Sequence, residues 1–368
     1  MKVYLDAVST TATNKEVLNT YKELLDKYYA NSDALYDDGL AVFDMQEKAR
    51  KNIADILNVN KDEIIFTSGA SEANNMAIKG YCLNKGKGHI ITSYYEHSSV
   101  YNAIKQLEDK YNFDVTYLKP IEGIINKEMI IDNLRDDTIL VSIMAVNNEI
   151  GSKNNIEEIA KVVKKHKGSI FHTDITQAIS KYDIDFKDID MASFSAHKIH
   201  GLKGSGILMK KQFVELLPLI SGGQQEFSLR GGTSNALVNT VFSKTLRLAI
   251  KNQKDNKEYI DELYNYLINE LNKIENIKVN YPKEHINQLI SITTPIESEV
   301  LLNGLNEKGV MCSSKSTCGS KKNELNRSYA SMGIDENHTV RISFDYTNTI
   351  YELKYFIECL KELINKYA

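Results

Sequence analysis

One lysine stands in a setting suited to covalent chemistry. Lys198 closes the segment 195–198 (SAHK), shortly before a glycine-rich stretch at 201–206. A lysine that is partly removed from water has a lowered pKa, and its neutral amine can form a Schiff base with a carbonyl compound. Lys161 and Lys164, by contrast, fall on a predicted helix, where solvated lysines are common. Lys198 is therefore the first candidate catalytic residue.

Further polar side chains follow predicted strands. Because the carboxyl ends of parallel strands meet at one sheet edge, where α/β proteins bind ligands, we expect these side chains to lie close together. His97 suits an acid, a base or a stacking ring, or else a structural histidine. Asp174 needs a partner such as a cationic ring nitrogen, or else caps a helix. The segment 68–72 (SGASE) could bind phosphate at a helix start or form an ordinary N-cap.

An arginine and four cysteines complete the candidates. Arg341 lies within an apolar strand pattern, where it could bind a carboxylate bidentately or be an edge or surface arginine on a half-exposed strand. The cysteines are Cys82, Cys312, Cys318 and Cys359. They form no C-x-x-C pair, so we expect neither a disulfide framework nor a metal site.

The elements that must position these residues alternate along the chain. Apolar strands and helix-length segments between about 14 and 250 predict an α/β fold with a mainly parallel sheet covered on both faces. The strand candidates include Thr138 to Val146 and Val310 to Ser313. The polar segment from Ser313 to Asn326 predicts a mobile surface loop. We expect a large domain at 13–250, and a smaller α+β domain built from 1–12 with 251–368.

Composition excludes several classes of protein. The 368 residues are 42% hydrophobic and 26% charged, and the net charge is −4 without a long basic run. These values are typical of globular proteins and argue against direct nucleic-acid binding. We find no signal peptide and no apolar stretch of about 18 residues, so we expect no membrane association and a cytoplasmic location.

Seven segments occur in the same order as the motifs of one enzyme family. They are 5–11 (LDAVSTT), 66–75 (FTSGASEANN), 96–100 (EHSSV), 146–151 (VNNEIG), 172–177 (HTDITQ), 195–198 (SAHK) and 230–233 (RGGT). The chain thus resembles the group I cysteine desulfurases, the NifS/IscS-like branch of the class V aminotransferases, which use pyridoxal 5'-phosphate (PLP). The resemblance implies fold type I of PLP-dependent transferases, with a mainly parallel seven-stranded sheet in the large domain and a smaller α+β domain.

The resemblance also implies roles around the PLP ring. Lys198 would hold PLP covalently as an aldimine, and His97 would stack on the ring and assist proton transfer. Asp174 would pair with the protonated ring nitrogen and keep the ring an electron sink. Gln177 and Asn148 would contact the ring hydroxyl and the substrate side.

Other implied roles concern the phosphate, the substrate and the second subunit. Arg341 would bind the carboxylate of L-cysteine. Thr233 would reach the phosphate of the other subunit, because these enzymes are homodimers with active sites at the interface. Four residues would cradle the phosphate: Ala70, Ser71, Ser195 and His197.

The loop cysteine has a place in this chemistry. The segment 313–318 (SSKSTC) aligns with the family pattern S-S-G-S-A-C, whose last residue is the nucleophile. Cys318 would therefore take sulfur from L-cysteine as a persulfide, leaving L-alanine, and pass it to an acceptor protein in iron–sulfur cluster assembly or tRNA thiolation. Lys315 and Thr317 depart from the pattern. A different class V PLP enzyme, such as a selenocysteine lyase or an aminotransferase, is the alternative.

Overall fold

The computed structural model describes residues 1–314 and 326–368, and these residues form twelve strands and eleven α-helices. The strands are β1 (Val3–Tyr4), β2 (Ile64–Thr67), β3 (His89–Ser93), β4 (Asp114–Leu118), β5 (Thr138–Ser142), β6 (Ile170–Asp174), β7 (Met191–Ser195), β8 (Gly206–Lys210), β9 (Lys278–Asn280), β10 (Leu289–Thr293), β11 (Val310–Met311) and β12 (Thr339–Ser343). The helices are α1 (Lys15–Lys27), α2 (Asp37–Leu57), α3 (Ala70–Lys85), α4 (Ser98–Tyr111), α5 (Lys127–Ile131), α6 (Ile156–Lys165), α7 (Ala236–Lys251), α8 (Gln253–Leu271), α9 (Ser298–Glu307), α10 (Arg327–Ser331) and α11 (Ile350–Tyr367).

Seven strands form the central sheet in the order β2-β8-β7-β6-β5-β3-β4. Strand β8 runs antiparallel to both of its neighbours, and the other pairs are parallel. Strands β3, β6 and β7 are buried along their whole length, as expected for a sheet covered by helices on both faces. The prediction of a mainly parallel sheet is confirmed.

A second, antiparallel sheet has the order β12-β10-β9, and β1 pairs with β11 in parallel. Val3 and Leu5 share a hydrophobic cluster with residues that lie between 260 and 364. Ile286, Leu289 and Tyr329, however, pack into the core beside the large sheet. The division into 13–250 and 1–12 with 251–368 stays a prediction.

Two predicted strands are too long. The strand predicted to end at Val146 ends at Ser142, because the Met144 N–H then donates to the Glu96 carboxylate, 3.0 Å away. The strand predicted to end at Ser313 covers only Val310–Met311. Apolar residues alone extend a strand pattern past the point where the backbone changes partners. None of the helices among the described residues is long and apolar enough to cross a membrane.

Candidate active site

Lys198 lies in a short 3-10 turn, 196–198, that follows β7. Its Nζ donates hydrogen bonds to the carbonyl oxygens of Val8 and Ser9, each at 2.6 Å. The side chain is half-buried. The amino-terminal segment therefore folds over the candidate lysine and holds its amine at the sheet edge.

Asp174 is the last residue of β6, and it is 5% exposed. Its Oδ2 accepts a hydrogen bond from the Asn74 amide at 2.7 Å, and its Oδ1 accepts the Thr176 N–H at 2.9 Å. Within the described ranges, no Lys or Arg nitrogen is paired with this carboxylate. A buried carboxylate with neutral donors alone is suited to receive a cationic partner.

His97 directly precedes α4, and its ring caps that helix. The Nδ1 atom accepts the Ser99 N–H at 3.2 Å and contacts the Ser99 hydroxyl at 2.8 Å. Burial lowers the pKa of His97, the Asp174 carboxylate opposes this shift, and the charge of Lys198 reinforces it. Asp174 ends β6, Lys198 follows the adjacent parallel strand β7, and His97 follows β3 of the same sheet, so the three predicted residues lie at the same edge. The lowered pKa of His97 leaves its ring neutral at pH 7.

The predicted phosphate residues meet where the turn before α3 passes the end of β7. The Ser195 Oγ accepts the Ala70 N–H at 2.7 Å. A Cβ at Gly206 would lie 2.4 Å from the Gly69 Cα, so glycine is required for this close approach of two backbones. Ser71, in the first turn of α3, is exposed. Hydroxyl groups and a helix amino terminus form a donor set suited to phosphate.

His197 belongs to the same corner of the site. Its Nδ1 lies 3.1 Å from the Thr10 hydroxyl. Burial lowers the pKa of His197 to about 4, and the charges of Lys198 and Lys203 contribute to the same shift. The ring is therefore neutral at pH 7 and can donate one hydrogen bond.

Arg341 lies in β12, the outer strand of its three-stranded sheet, but it is 1% exposed and the strand is buried, so the alternative of a surface arginine on a half-exposed strand is wrong. Its Nη2 donates to Asp6 Oδ1 at 2.9 Å and to the Ser9 hydroxyl at 2.8 Å, while Nη1 donates to the Asn148 carbonyl at 2.9 Å. The Nε atom is buried and has no acceptor among the described atoms. An orphaned N–H of this kind calls for an acceptor such as a carboxylate oxygen.

The side chain of Asn147 stabilises the turn that carries Asn148. The Asn147 Oδ1 accepts the N–H groups of Glu149 and Ile150, and its Nδ2 donates to the Ser328 hydroxyl at 3.1 Å. Asn147 is fully buried, whereas Asn148 is half-buried. The buried asparagine shapes the turn, and the arginine holds the carbonyl of the next residue.

Gln177 comes close to the candidate lysine. Its Nε2 donates to the Val8 carbonyl at 3.0 Å, which also accepts from Lys198. Its Oε1 accepts from Lys181 Nζ at 2.9 Å. Burial lowers the pKa of Lys181 to about 7, and the charge of Lys198 adds to this shift. Gln177 thus links the lysine site to a second, unpredicted lysine.

Two predicted residues stand apart from this cluster. Thr233 is exposed, on a segment where Arg230 Nε donates to Glu72 Oε1 at 3.0 Å, and no described contact joins it to Lys198. Cys318 lies outside the described residues. Cys312 is half-buried, and burial raises the pKa of its thiol to about 12.

Sequence reasoning missed several residues that complete the site. Asn74 and Ser99 lie within the recognised segments 66–75 and 96–100, each in the first five residues of a helix, and that position is the signal that could have identified them. Asp6 lies within a recognised motif, but its ion pair with Arg341 spans 335 positions and leaves no local pattern.

The residues present fit PLP. Asp174 lacks a cation within the described ranges, and the ring nitrogen of PLP would provide one. The Ser195 hydroxyl, which accepts the Ala70 N–H, keeps its own proton for a phosphate, and Lys198 offers an amine to the aldehyde. His97, neutral and half-buried, provides a flat ring beside them.

Comparisons with known proteins agree with this assignment. The profile of the family described as aminotransferase class-V matches residues 3–356. Cysteine desulfurase IscS of Clostridium botulinum is 37% identical over 379 residues, which cover 99% of this chain and 95% of the relative. A solved NifS-like protein superposes with a TM-score of 0.93, at 31% identity and full coverage of both chains. SspA, solved in complex with cysteine, has a TM-score of 0.83 and 33% identity, and the match covers 93% of this chain and 99% of SspA. This chain therefore belongs to the class-V aminotransferase family of PLP-dependent enzymes, in its NifS/IscS-like branch.

Proposed function

We propose that this protein is a cysteine desulfurase that converts L-cysteine to L-alanine and transfers the sulfur to Cys318 as a persulfide. The observation that carries the proposal is the position of Lys198, Asp174 and His97 at one sheet edge, in a chain that belongs to the NifS/IscS-like branch. The similarity to SspA, which was solved with cysteine bound, supports L-cysteine as the substrate.

Four residues would serve the cofactor ring. PLP, when bound, supplies an electron sink for the bond changes in the substrate. Lys198 would hold it covalently, and Asp174 would keep its ring nitrogen protonated. His97 would cover the ring and move protons, and Gln177 would contact the ring hydroxyl, next to the lysine with which it shares the Val8 carbonyl.

Two further groups would bind the phosphate and the substrate. Arg341 would orient the substrate carboxylate, because its Nε is buried and has no acceptor among the described atoms. Asn148 would flank the substrate, since its carbonyl is already held by that arginine. The phosphate would be bound by Ala70, Ser71, Ser195 and His197.

Sulfur transfer requires a thiolate. The Cys318 thiolate would attack the substrate sulfur: a sulfur–sulfur bond forms, the carbon–sulfur bond breaks, and its electron pair stays with the substrate, which leaves as alanine after protonation. Burial raises the thiol pKa of Cys82, Cys359 and, to about 12, Cys312. These three are therefore poor nucleophiles at neutral pH, which supports Cys318.

The chain would act as a homodimer in the cytoplasm. Thr233 is exposed on its own subunit, as a residue that reaches the phosphate of a partner must be. An exposed apolar surface lies on nearby elements: Leu35, Leu40, Phe43 and Phe227. Such a surface is typical of a protein interface. An acceptor protein, in iron–sulfur cluster assembly or tRNA thiolation, would then receive the persulfide sulfur.

The test is production of sulfide and alanine from L-cysteine with a reductant, for wild type, Cys318→Ala and the control Cys312→Ala. We expect equal amounts of both products from wild type, a loss of about 100-fold or more in Cys318→Ala, and a change within about threefold in Cys312→Ala. Full activity of Cys318→Ala would contradict the persulfide route. Turnover of selenocysteine or another amino acid, without turnover of cysteine, would indicate a different class V enzyme.

A further inference from the structure

Asn74, on α3, joins two elements of the active site through one amide group. It is fully buried, and its Nδ2 donates to Asp174 Oδ2 at 2.7 Å and to the Ser99 hydroxyl at 2.9 Å. A flipped amide would place its oxygen against the carboxylate oxygen. The carboxylate therefore sets the amide orientation, and with it the direction of the hydrogen bond to Ser99.

Ser99 continues the connection to His97. A backbone N–H can only donate, so the contact from Ser99 N at 3.2 Å makes His97 Nδ1 an acceptor. The Ser99 hydroxyl accepts from Asn74, so its one proton is available for Nδ1 at 2.8 Å. With Nδ1 engaged as an acceptor, a neutral imidazole carries its proton on Nε2.

We propose that Asn74 and Ser99 are positioning residues that connect Asp174 to His97 and hold His97 in the Nε2-protonated tautomer. The carboxylate assigned to the cofactor nitrogen and the ring assigned to proton transfer then belong to one hydrogen-bonded chain. Nε2 is the atom through which His97 exchanges protons. This role rests on the proposed function, because it concerns the same reaction.

The surroundings of His97 agree with a neutral ring. Burial lowers its pKa; Asp174 and Glu149 act in the opposite direction, and Lys198 and Arg327 act in the same direction as burial. Donors directed at Nδ1 stabilise the unprotonated nitrogen, so the chain through Ser99 also favours the neutral form. Without the hydrogen bonds from Ser99, we expect a weaker tautomer preference and a higher pKa of His97.

The test observes the His97 ring directly. In PLP-loaded protein labelled with ¹⁵N-histidine, two-bond ¹H–¹⁵N correlation spectra distinguish the two neutral tautomers, and His97→Gln identifies the His97 signals. We expect wild type and the control Ser98→Ala to show the Nε2-protonated form. In Ser99→Ala, the Nε2-protonated population of His97 should decrease, and the His97 ring should titrate at a higher pH. Asn74→Ala should shift the same signals in the same direction.

Activity provides a second readout. Ser99→Ala should lower turnover of L-cysteine about three- to tenfold, the size expected for one lost hydrogen bond, while Ser98→Ala leaves it unchanged. An Nδ1-protonated His97 in wild type would overturn the proposed roles of Asn74 and Ser99. A Ser99→Ala variant with unchanged spectra would overturn them as well. If wild type did not release alanine from cysteine, the proposed function would fail, but the spectra would still decide the tautomer. If Asn74→Ala does not fold, the spectra of the milder variant Ser99→Ala alone test the proposed positioning role.

Discussion

Glu96 carries a second buried carboxylate, next to His97 in the chain. It is 3% exposed, and its Oε1 accepts from the Ser93 hydroxyl and from the Met144 N–H. Its Oε2 has no partner among the described atoms. Burial raises the pKa of Glu96 to about 8, although these two hydrogen bonds act in the opposite direction. The side chain is therefore mostly protonated at neutral pH.

This shift predicts a pH-dependent stability. Because the pKa of Glu96 is higher in the folded chain, its contribution to stability is complete below its ordinary pKa of about 4.5 and is lost as the pH rises through about 8. We expect Glu96→Gln to lie within about 1 kcal/mol of wild type in free energy of unfolding at pH 5 and to exceed it by about 2 kcal/mol or more at pH 9.

Urea denaturation at the two pH values measures the difference. The exposed Glu275→Gln serves as the control and should follow wild type at both. If the Glu96→Gln and wild-type curves stayed parallel between pH 5 and 9, the carboxyl group would have to be ionised in the folded protein.

At the scale of elements, the segment after β8 is anchored by a buried ion pair. Arg50, on α2, donates to both Glu226 oxygens at 2.7 and 2.8 Å, and Glu226 also accepts the Phe66 N–H at 2.8 Å. Glu226, Phe227 and Ser228 all have φ between 48° and 63°, which non-glycine residues rarely adopt. The ion pair therefore offsets backbone strain in the segment that leads to Thr233.

The strain can be relieved at one exposed position. Ser228 has a φ of 63°, which glycine adopts without steric cost. We expect Ser228→Gly to raise the free energy of unfolding by up to about 1 kcal/mol, because the relief of strain exceeds the added flexibility of the unfolded chain. The control Ser221→Gly, at an exposed position without a positive φ, should be neutral or destabilising. A Ser228→Gly variant less stable than Ser221→Gly would contradict the idea of strain. Thermal and urea unfolding provide the comparison.

At the scale of the whole molecule, one surface carries several exposed apolar side chains. Leu35 is 88% exposed and Tyr36 is 60% exposed, and Leu40, Phe43 and Phe227 are each more than 40% exposed. Leu35, Leu40, Phe43 and Phe227 line one concave surface between the start of α2 and the strained segment. Large apolar side chains exposed together are costly in water and favour association.

Charges on this surface should weaken the proposed dimer. We expect the double variant Leu35→Glu/Phe43→Glu to sediment as a monomer at concentrations where wild type is dimeric, because association would bury two uncompensated charges per subunit. It should also retain PLP less well if Thr233 serves the partner's phosphate. The control Tyr351→Glu changes a 71% exposed residue on α11 and should remain dimeric. An unchanged dimer in the double variant would place the interface elsewhere.

Local sequence determined the order of the strands and helices and the positions of the polar residues that end them. Lys198 and Asp174 could be found because each lies at or just beyond the carboxyl end of an apolar strand, and parallel strands bring such ends to one edge. Periodicity is a short-range property, so it reports element type well. The apolar pattern predicted an end of β5 beyond the observed one, because the change of hydrogen-bond partner at Met144 involves a carboxylate distant in the sequence.

Only the tertiary structure decided the contacts between these residues. The acceptors of Arg341, the amide that joins Asp174 to Ser99, and the ion pair of Arg50 with Glu226 link residues far apart in the chain. Such partners leave no local pattern, because packing brings them together only after the elements have formed. The motifs of the chain thus indicated which residues could do chemistry, while the fold set their hydrogen-bond partners, their burial and the pKa shifts that follow.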